Sequence, residues 1–304
     1  MPGDKVVSAA EAIRRFVTPG CVLGLGGQNI NRCPMALVHE IVRQGIGQLT
    51  VVGCNLSLPL ELLAAADLVA RTEQGSGNLE KYGVLFCWRR RVEAGAIAVR
   101  DYSHLAMATR FLAGAMGVPF MPTRSLLGSD MLADLTARGD AQIFTAPWDS
   151  GPVVLLPALR PDVSIIQASR ADTRGNVVID GVTSHEVDMV RASLATVVSV
   201  EEVVPAGTFD DDPERVTLSS AYVSAVVQQP FGAFPTSVYR RYDYCDEDIA
   251  SFQAAARAGD EGPANWLAAN VRAVGCFDEY LERRDPGGPL RRSLQEQMRS
   301  LLCP

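Results

Sequence analysis

The sequence predicts an open, mainly parallel α/β sheet built from βαβ units. Three observations carry that prediction. Short apolar runs of strand length alternate with segments whose apolar residues recur at helical spacing. Glycine- or serine-bearing turns follow the extended segments, at Gly26-Gly-Gln-Asn29, Gly75-Ser-Gly-Asn78 and Gly128-Ser-Asp130. No composition break of linker type precedes Asp285-Pro-Gly-Gly-Pro289, so residues 1–304 are expected to form a single domain, with a helical, polar tail from about residue 246.

Taken in order, residues 4–18 have the spacing of an amphipathic helix. Ser8 stands at the cap, Glu11 at the capping-box position, and Ala12, Ile13, Phe16 and Val17 make the apolar face. Pro19-Gly20 ends it. Cys21–Leu25 reads as a short buried strand, followed by a glycine turn and then a helix from Met35. Glycines let a backbone come close to a bound group, and free amides at a helix start suit an anion or a developing oxyanion. Leu49–Gly53 is a second strand, 58–66 a helix, and Leu68–Arg71 a third strand entering a loop over 72–78. A helix over 85–94, a strand over 97–99 and a helix over 102–116 follow, the last with Leu105, Ala108, Phe111, Leu112 and Ala115 on its buried side. Residues 118–130 are an extended piece with a Gly-Ser turn, and 131–151 an irregular excursion. The βα rhythm resumes with strands at 153–156, 163–168 and 177–179, a helix over about 185–193, and strands at 196–202 and 223–227. In such sheets ligands sit at the carboxyl ends of strands, where the three turns are expected.

Several function classes are excluded. Gly24-Leu-Gly26-Gly-Gln-Asn29 starts like a dinucleotide fingerprint, but Asn29 replaces the third glycine and Thr50–Asn55 carries no carboxylate for a ribose. The net charge is −7, and Trp88-Arg-Arg-Arg91, the one basic cluster, reads as a solvated helix face, so no nucleic-acid partner is expected. The seven cysteines, at 21, 33, 54, 87, 245, 276 and 303, form no C-x-x-C pair, and no Cys/His cluster has zinc spacing, so no metal site is expected. The odd count, without a signal peptide, fits reduced thiols and a cytoplasmic location. No apolar run approaches the roughly 18 residues of a membrane span.

Candidate catalysts are few. There is no G-x-S-x-G elbow and no P-loop. His39 lies inside a helix and reads as a surface or packing residue. His185 follows Thr183-Ser184 at a helix start and reads as a neighbour of the cap. His104 opens the 102–116 helix just after a strand end, where a neutral imidazole beside free amides could serve as base or donor; a structural role is the alternative. Glu73, Glu80 and Asp130 are placed in loops, with no pairing that names a reaction. The residues alone describe a binding half without an obvious catalyst.

An ordered set of short motifs spans about residues 4–250. It comprises Leu25-Gly-Gly27 with Arg32-x-Pro34, Arg43-Gln-Gly-Ile-x-x-Leu-Thr50, Val92-Glu-Ala-Gly95 and Asp101-Tyr-Ser103. Next come Pro119-Phe-x-Pro122 with Gly128-Ser129, and then Ala171 to Val178. Val200-Glu-Glu-Val203, Pro230-Phe-Gly-Ala-x-Pro235 and Tyr242-Asp-Tyr244 complete it. In this set the chain resembles the α (A) subunit of glutaconate-type, class I coenzyme A transferases. The resemblance implies the open α/β fold of that class and an obligate β subunit in an α2β2 assembly. A glutamate of the β subunit would attack the acyl-CoA and become a glutamyl-CoA thioester. Coenzyme A would then be a substrate, with no permanently bound cofactor. This chain would supply the wall that holds a small carboxylic acid, through Gly26, Gly27, Gln28, Asn29, Ser76, Gly128 and Ser129. Two departures stand out. The family's usual Gly-Gly-Phe reads Gly26-Gly27-Gln28, which implies a different acid or reaction. The chain also resembles the α subunits of steroid ring-opening CoA hydrolases, which carry a catalytic glutamate at about the position of His104. Acid–base hydrolysis or C–C cleavage through His104 is therefore one alternative. A non-catalytic, purely binding role is the other.

Overall fold

A computed structural model describes residues 3–148 and 151–302. Helix α1 (Ala9–Phe16) is followed by β1 (Val22–Leu25), α2 (Met35–Gln44), β2 (Leu49–Leu56), α3 (Leu58–Ala65), β3 (Val69–Gly77), α4 (Phe86–Glu93), β4 (Ala98–Asp101) and α5 (His104–Ala115). Then come β5 (Phe120–Thr123), α6 (Asp130–Ala137), β6 (Gln142–Ala146), β7 (Gly151–Pro157), β8 (Val163–Asp172), β9 (Val177–Val178), α7 (Glu186–Ala192), β10 (Ala195–Val204) and β11 (Ala225–Gln228). Four helices close the described chain: α8 (Asp246–Ala258), α9 (Glu261–Leu267), α10 (Phe277–Arg284) and α11 (Pro289–Leu302). The main sheet has the order β11-β10-β8-β1-β2-β3-β4, every neighbouring pair parallel, with β9 added antiparallel to β8. The mainly parallel α/β sheet expected from the sequence is present.

Helices cover both faces, so the central strands are apolar on both sides. Val51, Ile165 and Val197 point into one core, with α1, α2, α3 and the C-terminal helices; Val52, Ile166 and Val198 point into the other, with α5 and α7. The C-terminal segment is helical but is not simply polar. Leu267, Val271, Phe277, Tyr280, Leu281 and Leu294 are buried in the first core.

Four local expectations are corrected. Helix α1 begins only at Ala9, capped by Ser8, whose hydroxyl accepts from the Glu11 amide; Val6, ahead of it, bridges to Val226. Residues 72–77 are strand, not loop. Their one acidic side chain finds tertiary partners: Glu73 is buried and ion-paired to Arg110 at 2.9 Å and Arg100 at 3.6 Å. Residues 131–151 are not irregular. They supply α6 and β6, and β6 joins β5 and β7 in a separate antiparallel sheet, order β5-β7-β6, so residues 153–156 do not continue the parallel sheet. On α5, Leu105 (61% exposed) and Leu112 face outward, while Ala106, Met107, Phe111, Ala113 and Gly114 are buried. The helix is apolar nearly all round, and close packing chooses the face. A Cβ at Gly114 would stand 2.4 Å from the Leu159 carbonyl and 2.8 Å from the Ala192 methyl, so only the small-residue side can press against α7.

The arginines of α4 pair outward: Arg89 with Glu93, Arg90 with Asp260, Arg91 with Asp67. Cys21, Cys33, Cys54, Cys87 and Cys245 are buried free thiols, Cys276 is exposed, and Cys303 lies outside the described residues. No helix among the described residues is long and apolar enough to cross a membrane.

His39 is a packing residue. Its ring is fully buried in α2, with centroids 4.9 Å from Phe277 and Tyr280 and 6.0 Å from Trp266, and neither ring nitrogen has a hydrogen-bond partner. Burial, helped by the Arg43 charge, pushes its pKa down to about 3. Below the ordinary imidazole pKa the unfolded chain therefore binds a proton that the folded chain refuses, and stability falls as the pH drops from about 6.5 toward 3. His39→Phe keeps the aromatic contacts and removes that proton. Urea denaturation should show the variant within about 1 kcal/mol of the parent at pH 8 and about 2 kcal/mol more stable than it at pH 5. Parallel pH profiles would refute this.

Candidate active site

The glycine turn after β1 is held by a buried carboxylate. Glu186, the first residue of α7, is fully buried. Its Oε1 accepts a 2.8 Å hydrogen bond from the Gly27 amide, and its Oε2 lies 2.5 Å from Nη2 of Arg32, itself 2% exposed. Arg32 also donates to the carbonyls of Val182 (2.6 Å) and Gln167 (3.3 Å). A buried charge needs this degree of compensation to persist.

Several of the amides expected to be free are engaged within the protein. The Gly26 amide donates to the Ile165 carbonyl, Gly27 to Glu186, and Gln28 to the Asn31 carbonyl. At the start of α2, Met35 donates to the Cys33 carbonyl and Ala36 to Gly232. The amides of Gly26, Gly27 and Gln28 are thus engaged within the protein, and the turn also carries the half-exposed side chains of Gln28 and Asn29.

Asn29 sits at φ +54°, a conformation that asparagine tolerates better than most residues. Its carbonyl is clamped by the Ser57 hydroxyl and by the Cys33 thiol at 3.2 Å. From its side chain a row of hydrogen bonds crosses three elements. Asn55 Nδ2, near the end of β2, donates to Asn29 Oδ1. Ser76, in register with Asn55 on β3, donates from Oγ to Asn55 Oδ1 at 3.1 Å. Ser76 Oγ lies 2.9 Å from Nε2 of His104, the exposed first residue of α5. Ser103 caps this helix by accepting from the Ala106 amide. The approach of β3 to α5 requires Gly75, since a Cβ there would meet His104 Cδ2 at 2.6 Å and the Cys54 carbonyl at 2.7 Å.

Beneath the row lies His185, 5% exposed and stacked on Phe111 at 5.6 Å. It stands at the cap position of α7, but its side chain makes no cap bond; its Nε2 instead receives the Cys54 amide at 3.5 Å. Burial lowers its pKa, against the Glu186 charge. Burial pushes the neighbouring Cys54 thiol up to about 12, which leaves it a poor nucleophile.

The structure thus brings together Gly26, Gly27, Gln28, Asn29, Ser76 and His104. It does not bring Gly128-Ser129 into the same row. Ser129 caps α6, accepting from the Leu132 amide and donating to the Leu126 carbonyl, and Ser125 of the same loop lies 2.8 Å from Ser103 Oγ. Glu80 and Asp130 are exposed, away from the row. Sequence reasoning gave no site role to Asn55, Arg32, Glu186 or His185. Asn55 carried a usable signal, a polar residue closing an apolar strand; the others are joined only by the fold.

The comparisons follow the same geometry. A family profile described as Coenzyme A transferase matches residues 6–229. The chain is 37% identical over 281 residues to an uncharacterized protein of Archaeoglobus fulgidus, covering 92% of this chain and 62% of that relative's length. It is 31% identical to the A-type subunit of glutaconate CoA-transferase from Acidaminococcus fermentans over 92% of each chain, and the crystal structure of that transferase superposes with a TM-score of 0.89 at 28% identity, covering 94% of each chain. It is also 30% identical to the cholesterol ring-cleaving hydrolase IpdA subunit of Rhodococcus jostii, over 76% of this chain and 79% of that one. With the profile matched over most of its length and its parallel sheet superposing on that of a transferase, the chain belongs to the coenzyme A transferase family.

Proposed function

We propose that this chain is the A-type subunit of a cytoplasmic, heteromeric CoA-transferase, and that it forms the acid-binding wall of a site completed by a B-type subunit in an α2β2 assembly. One observation carries this reading. The strand ends present a row of hydrogen-bonded polar side chains without a carboxylate, Asn29, Asn55, Ser76 and His104, while the carboxylate that touches the turn, Glu186, is buried and ion-paired. Such a row binds oxygen atoms but brings no carboxylate nucleophile of its own.

In the proposed reaction, a glutamate carboxylate of the partner attacks the thioester carbonyl and expels the CoA thiolate, leaving a mixed anhydride. The thiolate then attacks the glutamyl carbonyl, which releases the first acid and leaves a glutamyl-CoA thioester; the second acid reverses both steps. The amide groups of Gln28 and Asn29 would donate to the acid's carboxylate and to the oxyanion formed at each attack. Gln28 adds a hydrogen-bonding arm, so the preferred acid is one with a polar group within its reach.

Borohydride tests this reading. The chain alone should transfer no CoA. Its complex with the partner should be inactivated by borohydride only after acyl-CoA is added, as the glutamyl thioester is reduced to the alcohol. A complex that exchanges CoA and resists this treatment would overturn the proposal, and acyl-CoA bound without turnover by the complete complex would leave the chain with a binding role only.

A second reading has its own support in the exposed position of His104 and in the likeness to a ring-cleaving hydrolase. Here His104 moves a proton during hydrolysis or C–C cleavage of a CoA thioester. On that reading His104→Ala lowers kcat by about 10²- to 10⁴-fold in the assembled enzyme. A change of less than about threefold would remove His104 from the chemistry.

A further inference from the structure

The row of hydrogen bonds at the strand ends has a direction, and Asn55 sets it. A serine hydroxyl has a single proton to donate. Ser76 donates it to Asn55 Oδ1, so toward His104 its oxygen can only accept. The 2.9 Å contact with Ser76 therefore needs a proton on Nε2 of His104. Asn55 is itself oriented, because its Nδ2 faces Asn29 Oδ1 and must donate there. The chain runs from His104 Nε2–H to the Ser76 hydroxyl, from there to the Asn55 carbonyl oxygen, and from the Asn55 amide nitrogen to the Asn29 carbonyl oxygen. Reversing any link would leave two donors or two acceptors face to face.

We infer that Asn55 is a positioning residue of this site: by accepting from Ser76 it fixes the tautomer of His104, and by donating to Asn29 it turns that side chain's N–H₂ outward. The two ends of the chain are then chemically distinct. His104 presents an unprotonated Nδ1, an acceptor for a proton or for a substrate hydroxyl. Asn29 presents two N–H donors, suited to a carboxylate or thioester oxygen. The backbone holds the members of the row within reach of one another. Asn55 and Ser76 are register partners on adjacent parallel strands, and the Asn29 carbonyl is clamped by Ser57 and Cys33. The inference rests on the strand-end row being the reaction site, yet the tautomer can be read without turnover.

The chain has only three histidines, His39, His104 and His185, so long-range proton–nitrogen correlation spectra of the full-length protein are readily assigned by single replacements. At pH 9, above the ordinary imidazole range, His104 should show its pyrrole-like signal at Nε2 and its pyridine-like signal at Nδ1. In Asn55→Ala the freed Ser76 hydroxyl can donate to Nε2, and the tautomer ratio should move about tenfold toward Nδ1–H, the equilibrium worth of one ordinary hydrogen bond. Asn55→Asp keeps an acceptor for Ser76 and should restore the parent tautomer. Unchanged His39 and His185 signals serve as the folding control, and where Asn55→Ala disturbs them Asn55→Leu, close in volume and also without an acceptor, supplies the same comparison. A parent protein with its proton on Nδ1, or an acceptor-free variant with the parent ratio and intact control signals, would overturn the inference. Loss of the borohydride trap in the complex would leave it standing, so the two proposals fail separately.

Discussion

The buried carboxylate of Glu186 is the interaction on which the site depends. A charge with no solvent access must be neutralised and hydrogen-bonded, or the group will not stay ionised there. Glu186 meets both conditions by drawing in the Gly27 amide and the Arg32 guanidinium. In doing so it fastens α7 to the turn after β1, and Arg32 carries the tie on to the carbonyls of Gln167 and Val182. The glycine turn is tight because it answers an internal anion. The amides of Gly26, Gly27 and Gln28 are engaged inside the protein, and the turn projects the side chains of Gln28 and Asn29.

Parallel pairing explains where those side chains meet. β1, β2 and β3 are neighbours and run in the same direction, so Asn29, Asn55 and Ser76 emerge at one edge of the sheet. Register places Asn55 opposite Ser76. The start of α5 then arrives beside β3 with His104, admitted by the missing side chain at Gly75. None of these residues needs a mobile loop to reach the others. The flanking cores hold the strand ends, and the C-terminal helices complete one of those cores with an aromatic cluster around His39.

Much of the fold was legible in the chain because parallel strands buried on both faces leave largely apolar, β-branched runs, as at Val163–Ala168 and Thr196–Val200. Legibility failed where a segment's state is decided by partners distant in sequence. Thr72–Gly77 looks like a loop because it is polar, yet Glu73 is tolerated in a strand by Arg110, more than thirty residues on. The outward turn of Leu105 and Leu112 could not be foreseen, since α5 is apolar on several sides and its contact with α7 selects the smallest one. Of the residues named for the site, Gly26 to Asn29, Ser76 and His104 lie together, each at the end of a strand or the start of a helix, whereas Ser129 serves as a helix cap apart from that row. Glu186 and Arg32 were out of reach, being about 150 residues apart and joined only by the closing of β8 and α7 over β1.

The charge pattern gives the proposed division of labour a physical basis. A nucleophilic glutamate must be ionised to attack, and a second free carboxylate within a few ångströms would raise its pKa and hold it protonated. The carboxylate that touches the turn is removed from that contest: Glu186 is buried against Arg32 and accepts from the Gly27 amide. The row itself is made of amide, hydroxyl and imidazole groups. Such a surface stabilises negative charge as it develops on an acyl oxygen without neutralising the attacking group in advance. A cationic wall would bind the free acid more tightly, but it would also pair with the incoming nucleophile and lower its reactivity. Neutral amides with a fixed direction avoid that conflict, and this makes the orientation of Asn29, Asn55 and Ser76 as important to the site as their identity.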